Sequence, residues 1–140
     1  MRVLFVCTGN ICRSPYAEAA ARQQAGLEAA SAGTVAITGA GATPTGVAVA
    51  AELGVEMAGH RADDLTPQLI ADADVIFGMA QEHVTAVRAL DPGARVELLD
   101  PDGADIPDPY GGDRAEYRDS YALIQRALER RLEEGALRPG

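Results

Sequence analysis

Cys7 and Arg13 are the residues of this chain best equipped to act on an anion. They stand at the two ends of one short segment, Cys7-Thr8-Gly9-Asn10-Ile11-Cys12-Arg13. Oriented N–H donors and a nearby cation favour a nucleophilic thiolate over a thiol. A guanidinium is a planar fork of donors that matches two oxygens of a phosphoryl group. Gly9 and Asn10 are residue types that accept a positive φ, so a tight loop through them is expected to turn its N–H groups inward. Ser14-Pro15 reads as a helix start, which aims the positive end of a helix dipole at the same point. Together these features form a cradle for a tetrahedral oxyanion, with Cys7 at its rim. A cysteine and an arginine with five residues between them are a weak pattern alone. The apolar run before them and the helix start after them make it specific.

The elements that must position this loop follow from the pattern along the chain. Arg2 to Val6 is a short apolar run, expected as a buried strand. A helix is expected over Pro15 to Ala25, where alanine-rich sequence has high helix propensity, with Gly26 ending it. A less apolar strand follows at Ala29 to Ala32, then a loop from Val35 to Thr43. Pro44 opens a helix to about Leu53, and His60 to Leu65 reads as surface loop. Thr66-Pro67 caps a short helix to about Ala73, and Val75 to Phe77 is the clearest later strand. Gln81 to Leu90 is expected as a helix with Ala86, Val87 and Leu90 on one face, and Val96 to Leu99 as a fourth strand. A Pro/Gly/Asp-rich loop spans Asp100 to Asp113. The last helix, about Arg114 to Glu134, places Tyr117, Tyr121, Ile124, Leu128 and Leu132 at helical spacing. Strands separated by helices imply βαβ units. The expected fold class is therefore α/β: a three-layer α/β/α domain over 1–140, with a central four-stranded parallel sheet and a phosphate-binding loop after the first strand. Ligands of such sheets sit at the carboxyl ends of the strands, where both the Cys7 loop and the Asp108 loop should lie.

Composition narrows the partners. The net charge is −9, which disfavours nucleic acid or an anionic membrane surface, so an anionic substrate must be drawn by a local field. Cys7 and Cys12 are the only cysteines and lie too close in sequence to staple a fold, which points to a reducing, cytoplasmic setting. The acidic pairs Asp63-Asp64 and Glu133-Glu134 lack metal-ligand spacing and read as solvated faces; no metal or cofactor is expected.

The segment from Cys7 to Pro15 resembles the signature of low-molecular-weight protein tyrosine phosphatases. Ser31-Ala32-Gly33-Thr34, Gly59-His60-Arg61, the Val75 to Met79 stretch and Asp108-Pro109-Tyr110 fall in that family's order. The resemblance implies a hydrolase of phosphorylated proteins, expected as a monomer, with Cys7 as the nucleophile of a phosphocysteine intermediate. It implies that Arg13 and the loop from Thr8 through Gly9, Asn10, Ile11 and Cys12 to Ser14 bind the phosphoryl oxygens. Ser14 would donate to the Cys7 sulfur, Asn10 would hold the strained loop and His60 would support it. Asp108 matches the family's general acid, which then serves as base for water. Without that context an Asp-Pro pair reads as a turn.

Several residues keep two readings. Cys12 either fills the loop as a small residue or resolves an oxidised Cys7 into a reversible disulfide. No motif surrounds His83, and a surface or structural role is expected for it and for His60. An arsenate reductase of this family would need cysteines after Cys12, and there are none. A catalytically silent phosphopeptide-binding module would have lost Cys7, Arg13 or the acid.

Substrate choice draws conflicting signals. Where many tyrosine-specific members carry aromatic residues, this chain has Ala36 to Gly41 and Gly111-Gly112, leaving Tyr110 as the aromatic pocket wall. The stretches ending at Pro44 and Gly112 resemble the protein arginine phosphatase branch. Ile11, however, stands where that branch carries threonine, and its methyl groups suit an aryl ring. Phosphotyrosine is the expected substrate, with phosphoarginine as the alternative.

Overall fold

The computed structural model describes residues 1–138. The strands are β1 (Arg2–Cys7), β2 (Glu28–Gly33), β3 (Val75–Gly78) and β4 (Val96–Leu98), and they form one parallel sheet in the order β2-β1-β3-β4. The helices are α1 (Arg13–Ala25), α2 (Pro44–Glu52), α3 (Pro67–Asp72), α4 (Gln81–Leu90) and α5 (Arg114–Glu133). This is the expected three-layer α/β/α architecture.

Alternation along β1 builds both cores. Val3, Phe5 and Cys7 face the cluster that includes Tyr16 of α1, Val49 of α2 and Tyr117 and Tyr121 of α5. Leu4 and Val6 face the opposite cluster, with Ile70 of α3 and Val84 and Val87 of α4. Cys7 therefore ends the strand that both cores grip, which fixes its backbone from either side. On the α5 face, Tyr16 stacks on Tyr121 at 4.2 Å between centroids, and Tyr117 meets Tyr121 edge-on at 5.8 Å.

Four local expectations change. Helix α1 begins at Arg13, with Cys12 as its N-cap and no side-chain cap, so Ser14 and Pro15 lie inside the first turn. Proline fits there because the first-turn N–H has no helical acceptor. Of Gly9 and Asn10, only Asn10 takes a positive φ, 57°. Leu90 is exposed, because α4 lays His83, Val84 and Val87 on the sheet and Leu90 falls at its end, past the buried face. The segment from His60 to Leu65 is more than surface loop. Ala62 is buried, and the Asp63 carbonyl and Leu65 N–H bond Gly33 at the end of β2.

Candidate active site

The loop between β1 and α1 is held entirely from outside. The carbonyls of Cys7, Thr8, Gly9 and Ile11 accept from the N–H groups of Thr34, Val35, Ile37 and Thr43. The Asn10 carbonyl bonds His60 Nε2 at 2.7 Å, and the Cys12 carbonyl accepts from the Tyr121 hydroxyl at 3.0 Å. In a trans peptide, C=O and the following N–H point opposite ways. Turning every carbonyl from Cys7 to Cys12 outward therefore turns the following N–H groups to the inside of the loop. The N–H groups of Gly9 through Cys12 have no acceptor among the described residues.

Asn10 holds the curve. Its Oδ1 accepts from the Asp63 N–H at 2.9 Å, which leaves Nδ2 to donate to Ser14 Oγ at 2.7 Å and to Ser31 Oγ at 2.9 Å. Each hydroxyl then passes its own hydrogen on. Ser31 donates to Glu18 at 2.7 Å, and the Ser14 hydrogen is left for the Cys7 sulfur, 2.9 Å away. The direction of the hydrogen bond at the Cys7 sulfur is thus set by Asn10, one residue back along the network.

Arg13 is buried, at 4% exposure. Its Nη1 donates to the Ile106 carbonyl at 2.9 Å, and Nη2 lies 3.5 Å from Asp108 Oδ2. Its Nε is the one buried side-chain nitrogen or oxygen without a partner among the described residues. Asp108 is half-exposed, and its Oδ1 accepts from the Tyr110 N–H at 3.1 Å. The loop bearing it is pinned by Ile106 N–H to the Met79 carbonyl and by Ser120 Oγ to the Pro107 carbonyl. Two segments about a hundred residues apart in sequence thereby share one cleft.

That cleft is a cavity of about 260 Å³. Cys7, Thr8, Gly9, Cys12 and Arg13 line one side of it and Asp108 the other. Ile11 and Tyr110 also line it, joined by Val35 and Ile37, which sequence reasoning left in a patternless loop. Val35, Ile37 and Tyr110 are 72%, 52% and 62% exposed, so they form a rim open to solvent. Two exposed aliphatic residues a few positions after a strand that neighbours the loop were the available signal.

Both histidines bond the loop, and His83 is the one the sequence did not mark as its neighbour. It is fully buried on α4, with its Nδ1 bonded by the Ala80 N–H at 3.0 Å and its Nε2 2.9 Å from Thr8 Oγ1. Burial first, then the Arg13 charge, pushes its pKa down to about 4. Cys12 is buried beside the Tyr117 hydroxyl, at 3.4 Å, and that hydroxyl is 2.8 Å from Thr43 Oγ1. Burial pushes the Cys12 thiol above its ordinary range. Both cysteines are free thiols. No group of three or more His, Cys, Asp or Glu able to hold a metal ion occurs among the described residues. No helix there is long and apolar enough to cross a membrane.

Fold and site define a parallel α/β protein with a cysteine-bearing oxyanion loop at the carboxyl edge of its sheet. The chain belongs to the low-molecular-weight phosphotyrosine protein phosphatase family, whose model matches residues 2–136. Among its relatives is the low-molecular-weight protein-tyrosine-phosphatase Wzb of Escherichia coli, 35% identical over 130 residues covering 89% of this chain and 88% of Wzb. The crystal structure of the Erwinia amylovora tyrosine phosphatase amsI superposes with a TM-score of 0.90 at 32% identity, covering 97% of this chain and 92% of that one. The YwlE arginine phosphatase from Geobacillus stearothermophilus superposes with a TM-score of 0.89 at 33% identity, covering 95% and 91%.

Proposed function

We propose that the protein is a phosphotyrosine phosphatase that works through a phosphocysteine at Cys7. The observation that carries this reading is the inverted loop, with each carbonyl from Cys7 to Cys12 bonded outward and the N–H groups from Gly9 to Cys12 left for an anion. The unpartnered Arg13 Nε and the N-terminus of α1 add to the same positive focus. The Cys7 thiolate attacks phosphorus, and the bond to the tyrosyl oxygen breaks as Asp108 gives that oxygen its proton. Asp108, now a carboxylate, takes a proton from water as the water oxygen attacks phosphorus. Inorganic phosphate leaves, and the Cys7 thiolate and the protonated acid return. The partner is a phosphorylated protein, the enzyme acts as a monomer, and a reducing cytoplasm keeps both thiols free.

The apolar lining by Ile11, Val35 and Ile37 favours an aryl ring over a guanidinium, which would need hydrogen-bond acceptors there. Phosphoarginine is the second reading, favoured by the arginine phosphatase among the solved relatives. Phosphotyrosine and phosphoarginine peptides assayed side by side test the choice. Faster hydrolysis of phosphotyrosine, abolished in Cys7→Ser, is expected. Faster phosphoarginine hydrolysis would move the substrate to the second reading, and activity persisting in Cys7→Ser would end the mechanism. Cys12 is the candidate resolving thiol, tested by mass spectrometry for a Cys7–Cys12 disulfide after brief peroxide treatment.

A further inference from the structure

Thr8 and His83 form a pair that the mechanism above does not use. The Ala80 N–H can only donate, so the Nδ1 it reaches at 3.0 Å carries a lone pair and no proton. A neutral ring must then be protonated on Nε2, and this N–H faces Thr8 Oγ1 at 2.9 Å. The Glu82 carboxylate lies farther from the same nitrogen, 3.4 Å, and is exposed to water. The reverse arrangement, with Thr8 donating to a bare Nε2, would place an Nδ1 proton against the Ala80 N–H. Thr8 Oγ1 is therefore an acceptor from His83, and its own hydrogen has no acceptor among the described residues. Thr8 lines the catalytic cavity directly after Cys7.

We infer that the Thr8 hydroxyl is a side-chain donor to the bound phosphoryl group, and that His83 is the positioning residue that directs its hydrogen into the cavity. The logic matches that on the other side of the nucleophile, where Asn10 occupies Ser14 Oγ and sends the serine hydrogen to sulfur. The inference rests on the proposed oxyanion-binding function and assigns it one further contact. A hydrogen bond to a phosphoryl oxygen that is charged in both ground and transition states acts on the two alike, so it enters binding more than turnover.

The test uses the full-length protein and inorganic phosphate as a competitive inhibitor of aryl phosphate hydrolysis. Thr8→Val, close in shape but lacking the hydroxyl, is expected to weaken phosphate binding about tenfold or more and to raise KM with it, kcat changing less. Thr8→Ser is expected to restore binding to within about threefold, which a purely steric role of the threonine would not do. Nitrogen-15 NMR of the wild type reads the tautomer without any substitution, and Nε2 is expected to carry the proton at neutral pH. Unchanged phosphate binding in Thr8→Val, or a proton on Nδ1, would overturn the inference while leaving the phosphatase reading intact. A wild type that neither hydrolyses aryl phosphate nor binds phosphate would overturn both.

Discussion

A methyl group at Gly33 would place its carbon 2.5 Å from the Thr8 carbonyl oxygen and 3.0 Å from the Asn10 nitrogen. Gly33 pairs with Cys7 at the carboxyl end of β2, so the loop from Cys7 to Arg13 is packed directly on a position with no room for a side chain. Neither neighbour can yield cheaply, because both are backbone of the loop. Gly33→Ala is expected to cost about 1–3 kcal/mol of stability. Its larger effect should fall on kcat/KM, since a shift of a few tenths of an ångström in the loop misaims its donors. Chemical denaturation alongside steady-state kinetics checks this, and an active Gly33→Ala enzyme would show that the loop tolerates displacement.

Asp108 faces Arg13 at 3.5 Å from a loop anchored just before it, at Ile106 and Pro107, and it is half-exposed. In the proposed mechanism Asp108 matters in proportion to how badly the leaving oxygen needs a proton. Asp108→Asn is expected to slow an alkyl-substituted aryl phosphate about 10²–10⁴-fold and p-nitrophenyl phosphate much less. A plot of rate against leaving-group pKa should steepen in the variant. Equal slopes in the two enzymes would return Asp108 to the role of a turn residue.

The aliphatic rim leads to a third expectation. Tyr110 presents its ring at the mouth, and Ile37 stands exposed on the same cavity. Tyr110→Ala is expected to raise KM for phosphotyrosine peptides roughly five- to tenfold with little change in kcat, the loss of one aromatic contact worth about 1 kcal/mol. Ile37→Phe should lower KM by offering a second ring. Peptide kinetics on both variants settle the matter; a Tyr110→Ala enzyme with wild-type KM would remove Tyr110 from the pocket wall.

What was legible in the sequence was local. The strand before Cys7, the helix after it and the order of βαβ units follow from patterns within ten or twenty residues, and Cys7 and Arg13 stand out by their spacing. The site's supports are not local. His83 reaches Thr8 across 75 residues, and Asp63 reaches Asn10 across 53; nothing near His83 in sequence marks it as a neighbour of the loop. Val35 and Ile37 read as loop without pattern because their place on the cavity depends on β2 lying beside β1, a tertiary fact. The start of α1 was misplaced by two residues because Ser14-Pro15 has the look of a capping pair. Ser14 instead spends its hydroxyl on Cys7 and Asn10.

His83 also sets an acid limit on the fold. Buried first of all, and facing Arg13, it titrates at about 4 in the native protein, against an ordinary histidine value near 6.5. Glu82, Asp105 and Asp108 pull the other way without compensating. Between those two values the unfolded chain binds a proton that the native chain refuses, so stability falls as pH falls. The contribution is fully present above about pH 6.5 and lost progressively down to about pH 4, for a total on the order of 3 kcal/mol. Glu52 and Asp102, whose pKa values are lowered chiefly by hydrogen bonds from Arg118 and Arg130, add their losses only lower, as carboxylates protonate. His83→Gln removes the titrating group. It is expected to be less stable at neutral pH, where the bonds to Ala80 and Thr8 are weakened, yet to show a flatter decline between pH 6.5 and 4. Urea denaturation across that window measures the slope directly. Parallel curves for the two proteins would mean that His83 is protonated in the native state, contrary to the acceptor role that Ala80 imposes on its Nδ1.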